Sequence, residues 1–231
     1  MSQETKPIKK TAIIIGAGDF TERDLPKEKS EDILLIAADG GLTKLEAMGL
    51  VPDIIIGDFD SLGYVPEYAD ANADDNDGKV IPGKTEILTL PVEKDDTDME
   101  AAICAAWSEG CRTFRLYGAY GDRPDHFLAN LQLIAELCRC GADAQITASE
   151  FTVYAITNDR IDLNGNDGDI FSVFTLEKEA KGVSISGNVK YPLDGAVLTN
   201  NCSLGVSNQL TGTEASIEVS DGTLLIFLYC N

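Results

Sequence analysis

Histidine is almost absent from this chain, with His126 the single example in 231 residues. The six cysteines, Cys104, Cys111, Cys138, Cys140, Cys202 and Cys230, form no C-x-x-C pair. These two scarcities argue against a Cys/His zinc site. The cysteines read as reduced and structural, Cys104 and Cys138 acting as small hydrophobes in helix-like segments, as suits a cytoplasmic protein. No run approaches the roughly 18 apolar residues that a membrane span needs. The polar stretch Met1 to Lys10 carries no signal-peptide core, so the expectation is a protein neither secreted nor embedded. Basic residues are also few: 18 Lys and Arg face 39 Asp and Glu, for a formal net charge of -21. That leaves no basic stripe to neutralise a nucleic-acid backbone. It does not exclude small phosphorylated ligands, because a bound cation inverts the local sign. Two phosphate-binding signatures are missing as well. There is no G-x-x-x-x-G-K-[ST] loop. Gly16-Ala17-Gly18-Asp19 lacks the third glycine and the helix period of a dinucleotide fingerprint.

What remains is ordinary globular composition, long enough for one large domain or two modest ones. Short apolar runs recur at Ala12 to Ile15, Ile33 to Ala37, Ile54 to Ile56, Ile87 to Leu90, Phe114 to Tyr117 and Ala144 to Thr147. Several lack polar alternation, as expected of strands covered on both faces. Between them Met99, Ala102, Ile103, Ala106 and Trp107 follow the spacing of one buried helical stripe, and Phe127, Leu131, Ile134, Ala135 and Cys138 do the same. Gly110 and Gly141 stand where such helices would end. The βαβα order predicts a mainly parallel sheet with flanking helices over residues 1–148. From about Glu150 the pattern changes to short strands and turn-rich pieces, with candidates at Thr152 to Ile156, Phe171 to Thr175, Val183 to Ile185, Ile217 to Val219 and Leu224 to Tyr229. Residues 149–231 are therefore expected to form an all-β sandwich domain. The acidic segment Glu67 to Gly78 does not match a calcium loop and reads as an exposed insertion.

Three polar segments follow predicted strands in the first domain. Asp53-Ile54-Ile55-Ile56-Gly57-Asp58-Phe59-Asp60-Ser61 presents two carboxylates at the carboxyl edge of a strand, where ligands bind in open α/β sheets. Such carboxylates repel one another unless a cation lies beside them, and Mg²⁺ is the natural one. Lys94-Asp95-Asp96-Thr97-Asp98-Met99-Glu100 opens the first striped helix. Thr97 or Asp96 can cap that helix, Lys94 can meet phosphate, and Asp96 or Asp98 can reach the same metal. Gly118-Ala119-Tyr120-Gly121-Asp122-Arg123-Pro124-Asp125-His126 offers glycines for close backbone approach and a guanidinium for phosphate. Ala38-Asp39-Gly40-Gly41 is a further strand-end turn, with Asp39 available to a substrate cation or a metal.

In collinear order these segments resemble the thiamine pyrophosphokinase family. The distal pieces Gly187-Asn188-Val189-Lys190-Tyr191-Pro192-Leu193 and Leu204-Gly205-Val206-Ser207-Asn208 extend the resemblance over nearly the whole chain. In the family's pattern Gly121 is commonly followed by a second glycine, where this chain has Asp122. The resemblance implies an N-terminal nucleotide-binding domain and a C-terminal β-sandwich. It implies transfer of an intact pyrophosphoryl group from ATP to the hydroxyl of thiamine, giving thiamine diphosphate and AMP, in a homodimer with thiamine at the subunit interface. It casts Asp58, Asp60, Asp96 and Asp98 as Mg²⁺- and phosphate-handling residues. Lys94, Thr97, Gly118, Gly121, Arg123, Asp125 and His126 fall on the nucleotide, and Asp39, Ser207 and Asn208 on thiamine. A metal-dependent phosphohydrolase and a non-catalytic nucleotide sensor are the alternatives to be separated by experiment.

Overall fold

A computed structural model describes residues 11–21, 25, 30–59, 85–91 and 96–229. Asp60, Lys94 and the acidic segment Glu67 to Gly78 lie outside the described residues. The chain divides into two compact units, residues 1–126 and 127–231.

The first unit is built on five strands: β1 (Thr11–Ile15), β2 (Ile33–Ala38), β3 (Ile54–Gly57), β4 (Glu86–Thr89) and β5 (Thr113–Tyr117). They lie in the order β4-β3-β2-β1-β5, every neighbour parallel. Parallel neighbours need crossovers, and helices supply them. Helix α1 (Gly41–Ala47) follows β2, and α2 (Asp98–Ser108) precedes β5. Helix α3 (Pro124–Arg139) opens at the end of this unit and continues in the second. Ile13 and Ile15 of β1 join Leu35, Ala37, Ile55 and the α1 side chains Leu42 and Leu45 in one core cluster. The alternate set, Ala12, Ile14, Leu34, Ile36, Ile54 and Ile56, is buried too. Burial of both sets explains why these strands read as unbroken apolar runs. Each fully buried isoleucine contributes about 1.5–3 kcal/mol of hydrophobic stabilisation. The expected α2 stripe buries Met99, Ala102, Ile103 and Ala106, and the helix ends before Gly110, whose φ of 85° needs glycine.

The second unit holds the rest of α3 and eight strands: β6 (Asp143–Thr147), β7 (Phe151–Thr157), β8 (Arg160–Asn164), β9 (Ile170–Phe174), β10 (Glu179–Val189), β11 (Leu193–Thr199), β12 (Asn208–Glu218) and β13 (Thr223–Tyr229). All pairings among them are antiparallel. One layer runs β6-β7-β13-β9 and meets the first two residues of β12; the other runs β8-β12-β10-β11. Phe171, Val173, Ile185, Leu198, Leu210, Ile217, Leu224 and Ile226 fill the core that the two layers share, so these strands form a β-sandwich. Phe127 of α3 meets Phe151 and Phe227 at ring-centroid distances of 5.9 and 6.5 Å, anchoring the helix to this unit.

Five elements exceed the sequence expectation. Helix α1 has only seven residues and starts directly on Gly41, so it shows too little period to stand out. Strands β8 and β11 carry exposed polar and glycine positions through much of their length. Strands β10 and β12 are eleven residues long, whereas their apolar cores Val183 to Ile185 and Ile217 to Val219 signalled only short pieces.

Candidate functional site

Because β1 to β5 are parallel, the carboxyl ends of all five strands lie on one edge of the sheet. The chain steps outward from β1 through β2 and β3 to β4, then returns to place β5 on the other side of β1. That reversal makes the β1/β5 boundary the switch point at which open α/β sheets bind ligands.

Asp39 and Asp58 stand at neighbouring strand ends. Asp39 N–H donates to Ile56 O at 2.7 Å, and a Cβ added at Gly57 would lie 3.2 Å from Asp39 Cα. Asp39 adopts a left-handed φ of 45°, which aspartate tolerates better than most side chains. The next residue after Asp58, Phe59, has a φ of 61°, where a bulky aromatic is strained. Phe59 nevertheless stays 97% buried, in the cluster with Leu25, Leu42 and Leu45. Its ring pins the turn that presents Asp58.

The second acidic segment begins α2. Thr97 is the N-cap, its hydroxyl accepting from Glu100 N–H at 3.2 Å. Asp98 and Glu100 fall in the first turn, where the helix dipole favours negative charge. Asp96 is exposed and Asp98 half-buried. Burial raises the Cys104 thiol pKa, and Glu100 and Asp96 raise it further, a sign of the negative field at this helix end. The neighbouring Met99 Cε would meet a Cβ on Gly16 at 3.0 Å, so this helix start borders the β1 loop.

The loops after β1 and β5 interlock through their backbones. Gly16 N–H donates to Tyr117 O, Gly18 N–H to Gly118 O and Asp19 N–H to Tyr120 O, at 2.8, 2.8 and 2.6 Å. Side chains have no room here: a Cβ on Gly18 would stand 1.9 Å from Tyr120 O. Gly118 also needs its positive φ of 62°. The β5 loop then exposes Gly121, Asp122, Arg123, Asp125 and His126. Arg123 donates from Nε and Nη2 to the two Asp125 carboxylate oxygens at 3.0 and 2.7 Å. That hydrogen bond holds the Asp125 carboxyl well below the usual carboxylate range.

The distal candidates lie in the second unit. Ser207 is exposed at a φ of 57°, and its N–H donates to Ser172 Oγ at 3.0 Å. Asn208 is 97% buried, and its carboxamide bonds the backbone of the exposed Tyr191.

The first unit therefore gathers Asp39, Asp58, the α2 start with Asp96, Thr97 and Asp98, and the Gly118–His126 loop along one sheet edge. Among the described residues no group of three or more His, Cys, Asp or Glu is already drawn together as a metal cage. The donors that are described are all carboxylate oxygens, the ligand chemistry that Mg²⁺ takes while keeping several waters. The residues fit that ion.

A family model described as the thiamin pyrophosphokinase catalytic domain matches residues 25–148, more than half of the chain. The chain belongs to the thiamin pyrophosphokinase family. A second model, the thiamin pyrophosphokinase vitamin B1 binding domain, matches residues 158–224. The thiamine pyrophosphokinase of Bacillus subtilis (strain 168) is 22% identical over 215 residues, spanning 93% of this chain and 95% of that protein. A crystal structure of thiamine pyrophosphokinase from Bacillus subtilis superposes with a TM-score of 0.76 at 21% identity, covering 96% of this chain and all of the other. The Candida albicans thiamin pyrophosphokinase structure gives 0.74 at 13% identity, over 96% and 90%. At these identities the structures speak for the fold.

Three residues of this thiamin pyrophosphokinase family member carry no signal of a role in the sequence pattern: Phe59, Tyr191 and Lys44. Phe59 was hidden inside an acidic motif whose charges drew attention. Tyr191 is tied to Asn208 across 17 residues, a pairing without a local signal. Lys44 lies in α1, the helix whose period was too short to read.

Proposed function

We propose that the sheet edge built by Asp39, Asp58, the start of α2 and the Gly118–His126 loop is the ATP end of the catalytic site. Family membership makes the chain an ATP-dependent pyrophosphotransferase, which transfers pyrophosphate from ATP to thiamine and gives thiamine diphosphate. The hydroxyl oxygen of thiamine forms a bond to the β-phosphorus. The bond from that phosphorus to the α–β bridging oxygen breaks, and AMP leaves with the oxygen.

The observation that carries the assignment is the convergence of Asp39 and Asp58 at neighbouring strand ends with the backbone-locked loop that bears Arg123. Arg123, with a planar multidentate fork, is suited to phosphate oxygens. Gly118 and Gly121 let the backbone come close to the nucleotide, while Thr97 fixes the start of α2. Asp125 aims the Arg123 fork, and Lys94 and His126 complete the nucleotide side. Asp58, Asp60, Asp96 and Asp98 would hold Mg²⁺, which when bound offsets the charge of the phosphate chain. Positioning and electrostatic stabilisation dominate such transfers, so these residues act chiefly by orienting the reactants. One of the aspartates receives the hydroxyl proton as bonding to phosphorus develops, since a carboxylate near pKa ~4 does not ionise an alcohol beforehand.

Residues 1–148 then form the catalytic domain and 149–231 a domain that contributes to the thiamine site. The family matches at 25–148 and 158–224 support that division. Asp39, Ser207 and Asn208 serve thiamine, Asn208 by fixing Tyr191. The active unit is a homodimer. The net charge of -21 favours small substrates over nucleic acid as partners. The cytoplasm is the proposed place of action; no helix among the described residues is long and apolar enough to cross a membrane.

Incubation with β-labelled ATP, Mg²⁺ and thiamine tests the reading. Label is expected in thiamine diphosphate, with AMP appearing one for one. Stoichiometric ADP with thiamine monophosphate would refute transfer of an intact pyrophosphoryl group. Free phosphate without an acceptor would identify a phosphohydrolase, and ATP binding with no product a sensor.

A further inference from the structure

Lys44 is a residue of the first unit whose placement the proposed reaction does not use. It sits half-buried on α1, four residues beyond Gly40, and its ammonium donates to Gly18 O. The same ammonium lies over the Phe20 ring, 5.1 Å from its centroid. Both partners belong to the short loop after β1, so one side chain holds that loop at two points. Phe20 in turn packs against Tyr117, the last residue of β5, with ring centroids 5.8 Å apart.

The loop held in this way is the one whose N–H groups bond the β5 loop. Gly18 N–H reaches Gly118 O and Asp19 N–H reaches Tyr120 O. A continuous path therefore runs from Lys44 through Gly18 and Asp19 to Gly118 and Tyr120, three residues before Arg123. Glycines at 18 and 118 leave the backbones free to approach and add no side-chain contacts at those two positions. The charge-assisted hydrogen bond from Lys44 adds a constraint there from outside the loop. It does so at the β1/β5 switch point, where a displacement of the loop moves Arg123 relative to the phosphates.

We infer that Lys44 is a positioning residue for the nucleotide: acting through Gly18, it sets the Gly118–Arg123 loop in register for the ATP phosphates. The inference rests on the assignment of that loop to ATP. It differs from direct phosphate binding by Lys44, because the lysine acts here on a backbone carbonyl and an aromatic face of its own chain.

Amide hydrogen exchange and steady-state kinetics on Lys44→Met and Lys44→Arg decide it. Lys44→Met should exchange the Gly18 and Asp19 amides at least ~10-fold faster, with β7 and β13 amides unchanged, because the opening is local. Its KM for ATP should rise by roughly 10-fold from loop misplacement, with KM for thiamine within about twofold. Lys44→Arg, which keeps a cationic donor, should recover much of both effects. Unchanged exchange at Gly18 and Asp19 alongside a raised KM for ATP would overturn the inference in favour of direct phosphate contact. Equal rises in both KM values, or no change in either, would overturn it as well. Should Lys44→Met not fold, Lys44→Gln serves the same comparison. Exchange needs no turnover, so a wild-type protein that makes no thiamine diphosphate is a separate result, bearing on the proposed function alone.

Discussion

Asn208 binds Tyr191 at both backbone polar atoms. Its Oδ1 accepts from Tyr191 N–H at 3.0 Å, and its Nδ2 donates to Tyr191 O at 2.7 Å. The same Oδ1 accepts from Gln209 N–H at 2.8 Å. A buried carboxamide thus fixes a turn at Tyr191, a residue 56% exposed. Removing the carboxamide leaves backbone groups without partners, which costs about 1–3 kcal/mol each when they stay dry. Asn208→Ala should therefore lower the melting temperature and raise KM for thiamine while KM for ATP holds. Asn208→Asp keeps the acceptor but turns a buried carboxylate oxygen toward Tyr191 O, so it should destabilise at least as much as the alanine. A variant with wild-type melting and thiamine KM would show that the clamp has no bearing on the site.

Asp58 and Phe59 make a contrast that separates chemistry from folding. Asp58→Asn keeps the side-chain shape but removes the charge proposed to meet Mg²⁺. Turnover should fall at least ~100-fold, the scale of losing a central electrostatic contact, with little change in melting temperature. Phe59→Ala should instead cost about 3–5 kcal/mol of stability, as for a buried aromatic deleted from a core. Denaturant unfolding measures the second effect, and turnover at limiting Mg²⁺ the first. Near-normal activity of Asp58→Asn under that limit would remove Asp58 from the ligand set.

The contrast between these neighbours also marks what a sequence can show. Strands β1, β2 and β3 are legible because residues such as Ile14, Ile36 and Ile55 are buried, leaving apolar runs with no polar interruption. Asp58 and Arg123 were legible because charged groups next to strand ends are conspicuous. Phe59 gave no signal, since its strained turn is fixed by burial against Leu42 and Leu45 that only the fold creates. Lys44 was unreadable for a related reason. Its partner is a backbone carbonyl 26 residues away, and a carbonyl has no letter in the sequence. Strands β8 and β11 escaped because their exposed positions break the apolar alternation on which recognition depends.

The Arg123–Asp125 pair predicts a pH response. The Arg123 hydrogen bond lowers the Asp125 pKa in the folded protein, so the pair's contribution is complete above the unfolded-state pKa. It is lost only as pH falls through the depressed folded value. Both side chains are about two-thirds exposed, so the pair should matter for orienting the guanidinium and little for global stability. Carboxyl-carbon NMR titration should find Asp125 still ionised where ordinary aspartates are half protonated. In Arg123→Gln it should return to the usual range. An ordinary titration in the wild type would show that the pair does not persist in solution.

The proposed homodimer yields the most demanding test. The first unit supplies carboxylates, glycines and a guanidinium suited to ATP, yet among the described residues its strand-end loops offer no evident apolar slot for the thiamine rings. The second unit presents Ser207 and the Asn208-clamped Tyr191, and the vitamin B1 binding model matches this part of the chain. A closed two-fold dimer that brings the distal segment of each chain to the catalytic loops of its partner makes two equivalent sites. Two inactive variants can then complement each other: Asp58→Asn in one chain, and Ser207→Ala with Asn208→Ala in the other. After subunit exchange, the heterodimer holds one site assembled from two intact halves and one carrying both defects. Activity should return to roughly half of the wild-type value per dimer, since one of two equivalent sites is restored. Heterodimer formation is verified by mass, and folding of each parent by its unfolding transition. Verified heterodimers that stay inactive, or an isolated wild-type monomer that turns over thiamine at full rate, would show that each chain builds its thiamine site alone.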